Sequence, residues 1–556
     1  MILSGAEIAV RLLERQGVTM LSGYPGGAIL PFYDALSKST QIQHVLARHE
    51  QGAGFIAQGW ARATGQVGVC VSSSGPGATN LVTAIADARL DSIPLVAITG
   101  QVPQSMIGTD AFQEVDTYGM TVPITKHNFL VKSVEEMIEV IPRAFTIALS
   151  GRPGPVLIDI PKDVQTCKVE INDHEWPAPG RAEAVPAPDA DVIRRAAEMI
   201  NAAQRPLLYL GGGVVHSGAA PLAIELAEKA GLPTVMTLMA LGAMPVDHPL
   251  SLSMLGMHAA RYCNMALEEC DLLFAVGARF DDRATGKVAA FCPNAKIVHI
   301  DIDAAEIDKI KTAHLGIKGD VTGVLKALLP QVASPLRTEW LSRVADLKRD
   351  FPLARPDLDD PRSHFGLIQA VADALDDEAT IATDVGQHQM WVAQAYPLRR
   401  ARQWLTSGGL GTMGFGLPAA IGAALAEPKR TVVCFSGDGS ILMNVQEFVT
   451  AAETGAKVKV ILMNNSALGL VHQQQTLFYK ENLFSSTFAH VPDFIAIARG
   501  FGIRALDLDR SADPRAALAD ELKTPGPCLI HASIDMAQKV YPMVPPGAAN
   551  KDMIGH

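Results

Sequence analysis

Residues 431–465, TVVCFSGDGSILMNVQEFVTAAETGAKVKVILMNN, hold the side chains best suited to chemistry. Asp438 stands between Gly437 and Gly439, and Asn465 follows Gly439 by 26 positions. A carboxylate and an amide oxygen suit a hard cation such as Mg²⁺, which keeps several waters and is held partly by the phosphates of a ligand. The glycines let the backbone approach that ligand closely, and free N–H groups at a helix start favour an anion. The same residues also suit a plain strand-to-helix turn capped by Asp438. The apolar run 432–435 predicts a buried parallel strand, Ser440 opens a helix, and a second apolar strand ends at Asn464 and Asn465. That is one βαβ unit with Asp438 and Asn465 at the carboxyl ends of its strands, where open α/β sheets bind ligands.

The order strand, glycine turn, helix, strand recurs at residues 67–100, VGVCVSSSGPGATNLVTAIADARLDSIPLVAITG. Farther on, PGPVLID at 153–159 matches PGPCLIH at 525–531. Two matched landmarks in the same order predict one fold used twice, in the first and last thirds. Proline-rich stretches at 172–191 and 329–363 read as linkers, which makes the middle a separate domain. There, buried strands run into Gly211-Gly212-Gly213 and Gly277, and another ends at Asp301, the places where a dinucleotide would lie. Plain turn geometry accounts for the triple glycine as well. The expected architecture is α/β, three doubly wound parallel-sheet domains at 1–171, 190–330 and 364–540, with a tail at 541–556.

Of the 556 residues 48% are hydrophobic and 19% charged, and no apolar run reaches membrane-span length, so a globular, non-membrane chain is expected. A net charge of −11 argues against a nucleic-acid partner. The seven cysteines are odd in number, scattered and without CxxC spacing, as expected of buried packing thiols in a reducing compartment. The N-terminus has acidic residues and a helical pattern in place of a basic segment and apolar core, so a cytoplasmic location is expected.

The GDG…NN spacing resembles the diphosphate and metal motif of thiamine diphosphate (ThDP) enzymes. Together with the repeated fold and the central dinucleotide-type domain, it makes the chain similar to the ThDP-dependent decarboxylase and carboligase family. Within that family it resembles the acetohydroxyacid synthase catalytic subunits. The resemblance is carried over nearly the whole length by GYPGGAI (23–29), RHEQGA (48–53), SGPGATN (74–80), GTDAFQE (108–114), GRPGPVLIDIPKD (151–163), LGMH (255–258), GARFDDR (277–283), TDVGQHQMW (383–391), GLGTMGFGLPAA (409–420) and VPPGA (544–548).

What the resemblance implies is a transferase of branched-chain amino acid biosynthesis that decarboxylates pyruvate and joins the remainder to a second 2-keto acid, using ThDP, Mg²⁺ and FAD. It implies catalytic roles for Glu50, which protonates the pyrimidine, for Gln113 and Lys162, for Gly27 beside the reacting carbonyl, and for Arg283, whose guanidinium suits the acceptor carboxylate. The alternative for Arg283 is an ion pair with Asp281 or Asp282. Met413 is implied as the wedge under the cofactor, with core packing as its alternative. Val385, Gly386, Gln387, His388, Gly411, Gly437, Asp438, Gly439, Ser440, Asn465, Leu468 and Gly469 are implied around ThDP. Asp438, Asn465 and Ala467 would hold the metal. Gly211, Gly212, Gly213, Met257, His258, Gly277, Arg279, Asp301 and Asp320 are implied around FAD. In this family the two halves of each site come from different subunits, which implies a homodimer or tetramer, with a separate small regulatory subunit as a further partner.

The chain departs from the family pattern after Asn465. The family's run leucine-glycine-methionine-valine-arginine-glutamine-tryptophan is here Leu468-Gly469-Leu470-Val471-His472-Gln473-Gln474. The family's tryptophan selects 2-ketobutyrate over pyruvate, so Gln474, with Leu470 and His472, predicts loosened acceptor choice and mostly 2-acetolactate as product. Competing readings are a related ThDP carboligase or decarboxylase, a pyruvate-oxidase-type flavoenzyme, and a silent paralogue that binds cofactors without turnover.

Overall fold

The computed structural model describes residues 1–172 and 176–555 and builds them around three six-stranded sheets whose paired strands are all parallel. Part of the expected linker at 172–191 and the last residue of the expected tail therefore lie outside the described residues. The first sheet runs Gln43–Leu46, Met20–Gly23, Gly68–Ser72, Leu95–Gln101, Pro155–Pro161, His127–Leu130. The last runs Trp404–Leu405, Thr380–Thr383, Val432–Gly437, Val458–Asn464, Cys528–Ser533, Arg504–Asp507. Numbered along each segment, both follow the order 2-1-3-4-6-5. The central strands are buried on both faces, which is why they read as unbroken apolar runs and not as alternating ones.

The middle sheet runs Ser251–Met254, Thr234–Met236, Pro206–Leu210, Leu272–Val276, Lys296–Asp301, Leu315–Lys318, the order 3-2-1-4-5-6 of dinucleotide-binding sheets. Its direction reverses between Pro206–Leu210 and Leu272–Val276, and the turns that follow nearly touch. A Cβ on Gly211 would lie 2.1 Å from the carbonyl oxygen of Gly277, so only glycine fits there.

The first and last thirds meet through helices Glu50–Thr64 and Gly416–Ala426. Glycine permits the crossing: a Cβ on Gly59 would stand 1.9 Å from Ala419 O, and one on Gly422 1.9 Å from Ile56 O. Gly59→Ala must push the helices apart, and an overpacking cost of about 1–3 kcal/mol is expected. Thermal unfolding should show a lowered midpoint, whereas Gly500→Ala, with nothing within 4 Å, should not.

Several expectations change in detail. The single helix expected after Ser440 is two, Asp438–Ile441 and Glu447–Thr454, because Asn444 between them donates to Gly414 O at 2.6 Å and fixes a turn. The one short helix expected within 329–363 is Thr338–Asp350, and what changes is that it docks on the middle sheet, with Trp340 buried and its indole N–H on Pro206 O at 3.0 Å. Cys167 is exposed, unlike the other six cysteines, because it leaves helix Lys162–Thr166 at its surface end. The tail folds back on the middle third: Val544 N donates to Met257 O at 2.9 Å and Asn550 Nδ2 to Ala284 O at 2.8 Å. Among the described residues no helix is long and apolar enough to cross a membrane.

Candidate active site

Asp438 begins its short helix at the carboxyl end of Val432–Gly437, next to the point where the last sheet reverses direction. Its Oδ1 accepts from Gly439 N at 3.0 Å, while Oδ2 is buried without a partner. Burial pushes this carboxyl up to about 6, despite the N–H groups of Gly439, Ser466 and Ala467 that oppose the shift. A carboxylate oxygen kept dry and unpaired calls for a cation. Asn465 Oδ1 accepts from Ala467 N at 3.2 Å and its Nδ2 donates to Gln387 Oε1 at 3.0 Å, which fixes the amide so that its oxygen is the acceptor. The donor set and the orphaned oxygen fit Mg²⁺.

Glycines crowd this turn. A Cβ on Gly469 would meet Gln387 Oε1 at 2.0 Å, and one on Gly437 or Gly386 would press on His388 at 3.0 and 2.7 Å. Ser440 Oγ donates to Val385 O at 2.9 Å, and Leu468 N to Ser486 O at 2.9 Å. His388 is buried, its Nε2 has no partner, and burial lowers its pKa to about 3. Gln387 is fully committed within the chain, its amide N–H₂ going to Gln473 Oε1 at 3.0 Å and Gln538 O at 2.9 Å. Met413 is half-buried, its Cε 3.6 Å from where a Cβ on Gly439 would stand.

A cavity of about 1010 Å³ opens over the reversal point of the middle sheet and reaches the last third, where Val385 and Gly411 also line it. Of the residues singled out in the sequence, Gly211, Gly212, Gly213, Met257, His258, Gly277, Arg279, Arg283, Asp301, Asp320, Val385, Gly411, Leu470 and Gln474 line it. Thr237, which no sequence signal marked, lines it too, with a buried hydroxyl that has no partner. Its volume is at the upper end of ligand pockets, about 300–1,000 Å³, and with the orphaned hydroxyl it fits a dinucleotide such as FAD. Asp301 is pushed up to about 6 by burial, and His258 down to about 4. Asp320 caps helix Val321–Leu328 through Gly323 N at 2.9 Å.

Helix Gly469–Phe478 turns Leu470, Gln473 and Gln474 toward the cavity, at spacing i, i+3, i+4. His472 lies off that face and does not line the cavity. Gln473 is the missed residue: buried, it bonds Gln387 and Val540 and anchors the helix.

Glu50 begins helix Glu50–Thr64, and its Oε2 accepts from Asn80 Nδ2 at 2.9 Å. Among the described residues it forms no ion pair, and the nearby Arg48 pairs with Glu453 instead. Gly77 of the SGPG turn passes close by, a Cβ there lying 3.5 Å from Glu50 Oε1. Gln113, at φ 58°, is exposed over Gly75, Gly27 is exposed, and Lys162 opens its own helix. None of these four lines the large cavity. Arg283 does, and it is also 3.7 Å from Asp282, an exposed pair of the kind weighed as its alternative.

Models of three thiamine pyrophosphate enzyme domains match this chain: the N-terminal TPP binding domain at 3–120, the central domain at 193–328 and the C-terminal TPP binding domain at 384–532. Fold and site thus define a thiamine pyrophosphate enzyme. Acetolactate synthase isozyme 1 large subunit of Escherichia coli (strain K12) is 64% identical over 552 residues, 99% of this chain and 98% of the relative. Isozyme 2 large subunit of the same organism is 48% identical over 99% of both chains, and acetolactate synthase 1, chloroplastic, of Oryza sativa subsp. japonica is 48% identical over 99% of this chain and 87% of its own. The chain belongs to the acetolactate synthase large-subunit family.

Proposed function

We propose that this chain is the catalytic subunit of an acetolactate synthase, condensing two pyruvates to 2-acetolactate with loss of CO₂. The observation that carries the reading is the dry, unpaired Asp438 Oδ2 in a glycine-lined turn at a sheet reversal point, beside a second, dinucleotide-sized cavity. Asp438, Asn465 and Ala467 would hold Mg²⁺, which would supply the positive charge that neutralises the cofactor diphosphate. Val385, Gly386, Gln387, His388, Gly411, Gly437, Gly439, Ser440, Leu468 and Gly469 form the surrounding wall, and Met413 packs beneath the rings. ThDP, when bound, supplies a nucleophilic carbon and the electron sink for decarboxylation. Glu50 holds a proton toward the pyrimidine ring, and Gln113, Lys162 and Gly27 border the reacting carbonyl. Arg283 leaves Asp282 to take the acceptor carboxylate with two parallel hydrogen bonds. Gly211, Gly212, Gly213, Met257, His258, Gly277, Arg279, Asp301 and Asp320 hold FAD, which has no redox part in this reaction.

Within one chain Glu50 and Asp438 face different surroundings, which supports a site completed by a second subunit, hence a homodimer or tetramer. The relatives' designation as large subunits supports a small regulatory partner. A cytoplasmic location agrees with the buried free thiols.

Product analysis with ThDP, Mg²⁺ and FAD tests the reading, using pyruvate alone and then pyruvate with equimolar 2-ketobutyrate. 2-Acetolactate is expected to dominate both mixtures; formation of neither acetohydroxyacid would refute the assignment. Gln474→Trp adds an apolar wall where Gln474 lines the cavity. Discrimination of one methylene is worth about 1–3 kcal/mol, so the variant should shift acceptor preference toward 2-ketobutyrate by about 10- to 200-fold. An unchanged product ratio would remove Gln474 from acceptor choice.

A further inference from the structure

Where the first and last thirds meet, three ionisable side chains sit almost wholly out of water and serve none of the roles above. Arg62 of helix Glu50–Thr64 is 5% exposed, and Asp87 and Asp91, one turn apart on Val82–Asp91, are 0% exposed. Arg62 Nη2 reaches Asp87 Oδ2 at 3.1 Å, Asp91 Oδ2 at 2.9 Å and Gln58 Oε1 at 2.9 Å. The guanidinium also lies over the ring of Phe415, 4.8 Å from its centroid. Two carboxyl groups share one guanidinium, and a buried polar or charged group is costly unless its lone pairs find donors.

The remaining donors come from a single stretch of the last third. Ser407 Oγ donates to Asp87 Oδ1, as does Thr412 Oγ1 at 3.0 Å. Gly408 N and Gly409 N donate to Asp91 at 3.1 and 2.7 Å. Thr412 N closes the loop on Ser407 Oγ at 2.8 Å, and Arg62 Nη1 holds Thr406 O at 2.9 Å. The next residue is Met413. Beyond it Gly414 N is held by Asp384 Oδ1 at 2.8 Å and Gly414 O by Asn444. Met413 thus stands between two anchored neighbours, while residues 408–411 wall the large cavity.

We infer that Asp87 and Asp91, balanced by Arg62, are positioning residues that set Met413 and the 408–411 wall against the two cofactors. The inference rests on the cofactor-facing role proposed above for Met413 and this loop. The clamp crosses between thirds of the chain, so the first third's packing fixes the shape of the last third's cofactor-facing loop. A purely structural contact at this interface would be served as well by apolar side chains of similar volume.

Thr412→Val tests this in the full-length protein, since it keeps the side-chain shape and removes one donor. ThDP is titrated at saturating Mg²⁺ and FAD, followed by near-UV circular dichroism of the bound cofactor and by turnover, with thermal unfolding recorded in parallel. The half-saturating ThDP concentration is expected to rise about tenfold, the order of one hydrogen bond to a charged group, with Thr412→Ser restoring the wild-type value. Asp87→Asn should move it in the same direction. If Thr412→Val lowers the unfolding temperature but leaves ThDP saturation unchanged, while Met413→Ala weakens it, the clamp is structural and the inference falls. If Met413→Ala leaves both saturation and turnover unchanged, the reading of the loop itself fails, and the inference fails with it.

Discussion

Glu50→Gln should lower kcat by about 100- to 10,000-fold, the range of a positioned general acid–base group, with little change in folding. The side chain is anchored by one hydrogen bond, from Asn80 Nδ2 to Oε2 at 2.9 Å, and a glutamine amide oxygen accepts that bond equally well. What glutamine cannot do is hold and release a proton. No ion pair of Glu50 is lost, because Arg48 is engaged with Glu453 and takes no part. The check is the exchange of the cofactor's C2 proton into heavy water in the loaded enzyme, which reports proton transfer before any carbon–carbon bond is made. Slow exchange with an intact unfolding midpoint is the expected pair of results. Normal exchange would move the proton-transfer role to another group.

Asp438→Asn should abolish turnover, a loss of about a thousandfold or more, matching the several kcal/mol that a bound metal contributes. The metal-free protein should be no less stable for the change. In the native chain the carboxylate is buried, its Oδ2 is unpaired, and burial raises its pKa to about 6 against the opposing backbone N–H groups. Replacing that charge by a neutral amide relieves the cost of holding it dry. Mg²⁺ binding by calorimetry and the unfolding temperature without metal separate the two effects. A variant that still binds Mg²⁺ with native affinity would remove Asp438 from the metal site.

The architecture was readable because glycine turns punctuate long apolar strands. The repeat seen at 67–100 and 431–465 became two sheets of identical strand order, and the triple glycine at 211–213 fell at the reversal of a dinucleotide-type sheet. Motif resemblance named most residues that gather around Asp438 and the large cavity. What escaped was everything decided by helix facing or by contacts between distant segments. His472 and Gln474 are two positions apart, and only the helix phase tells that one lines the cavity and the other does not. Thr237 is a single threonine after a three-residue strand, without a pattern to mark it. Asp87 and Asp91 did carry a signal, two carboxylates on one face of a short helix rich in alanine, yet the Ser407–Thr412 donors that hold them lie more than 300 positions away.

The glycine contacts between helices Glu50–Thr64 and Gly416–Ala426 bear on how such a chain evolves. The first and last thirds share one strand order, and in the function proposed above the first supplies the acid and the last the metal ligands. With backbone pressed against backbone at Gly59 and Gly422, neither copy drifts alone, because a shift in one helix displaces the other. Natural variation should therefore accumulate at the outer rims of the sheets and spare this seam, so that the two matched thirds are inherited as one unit.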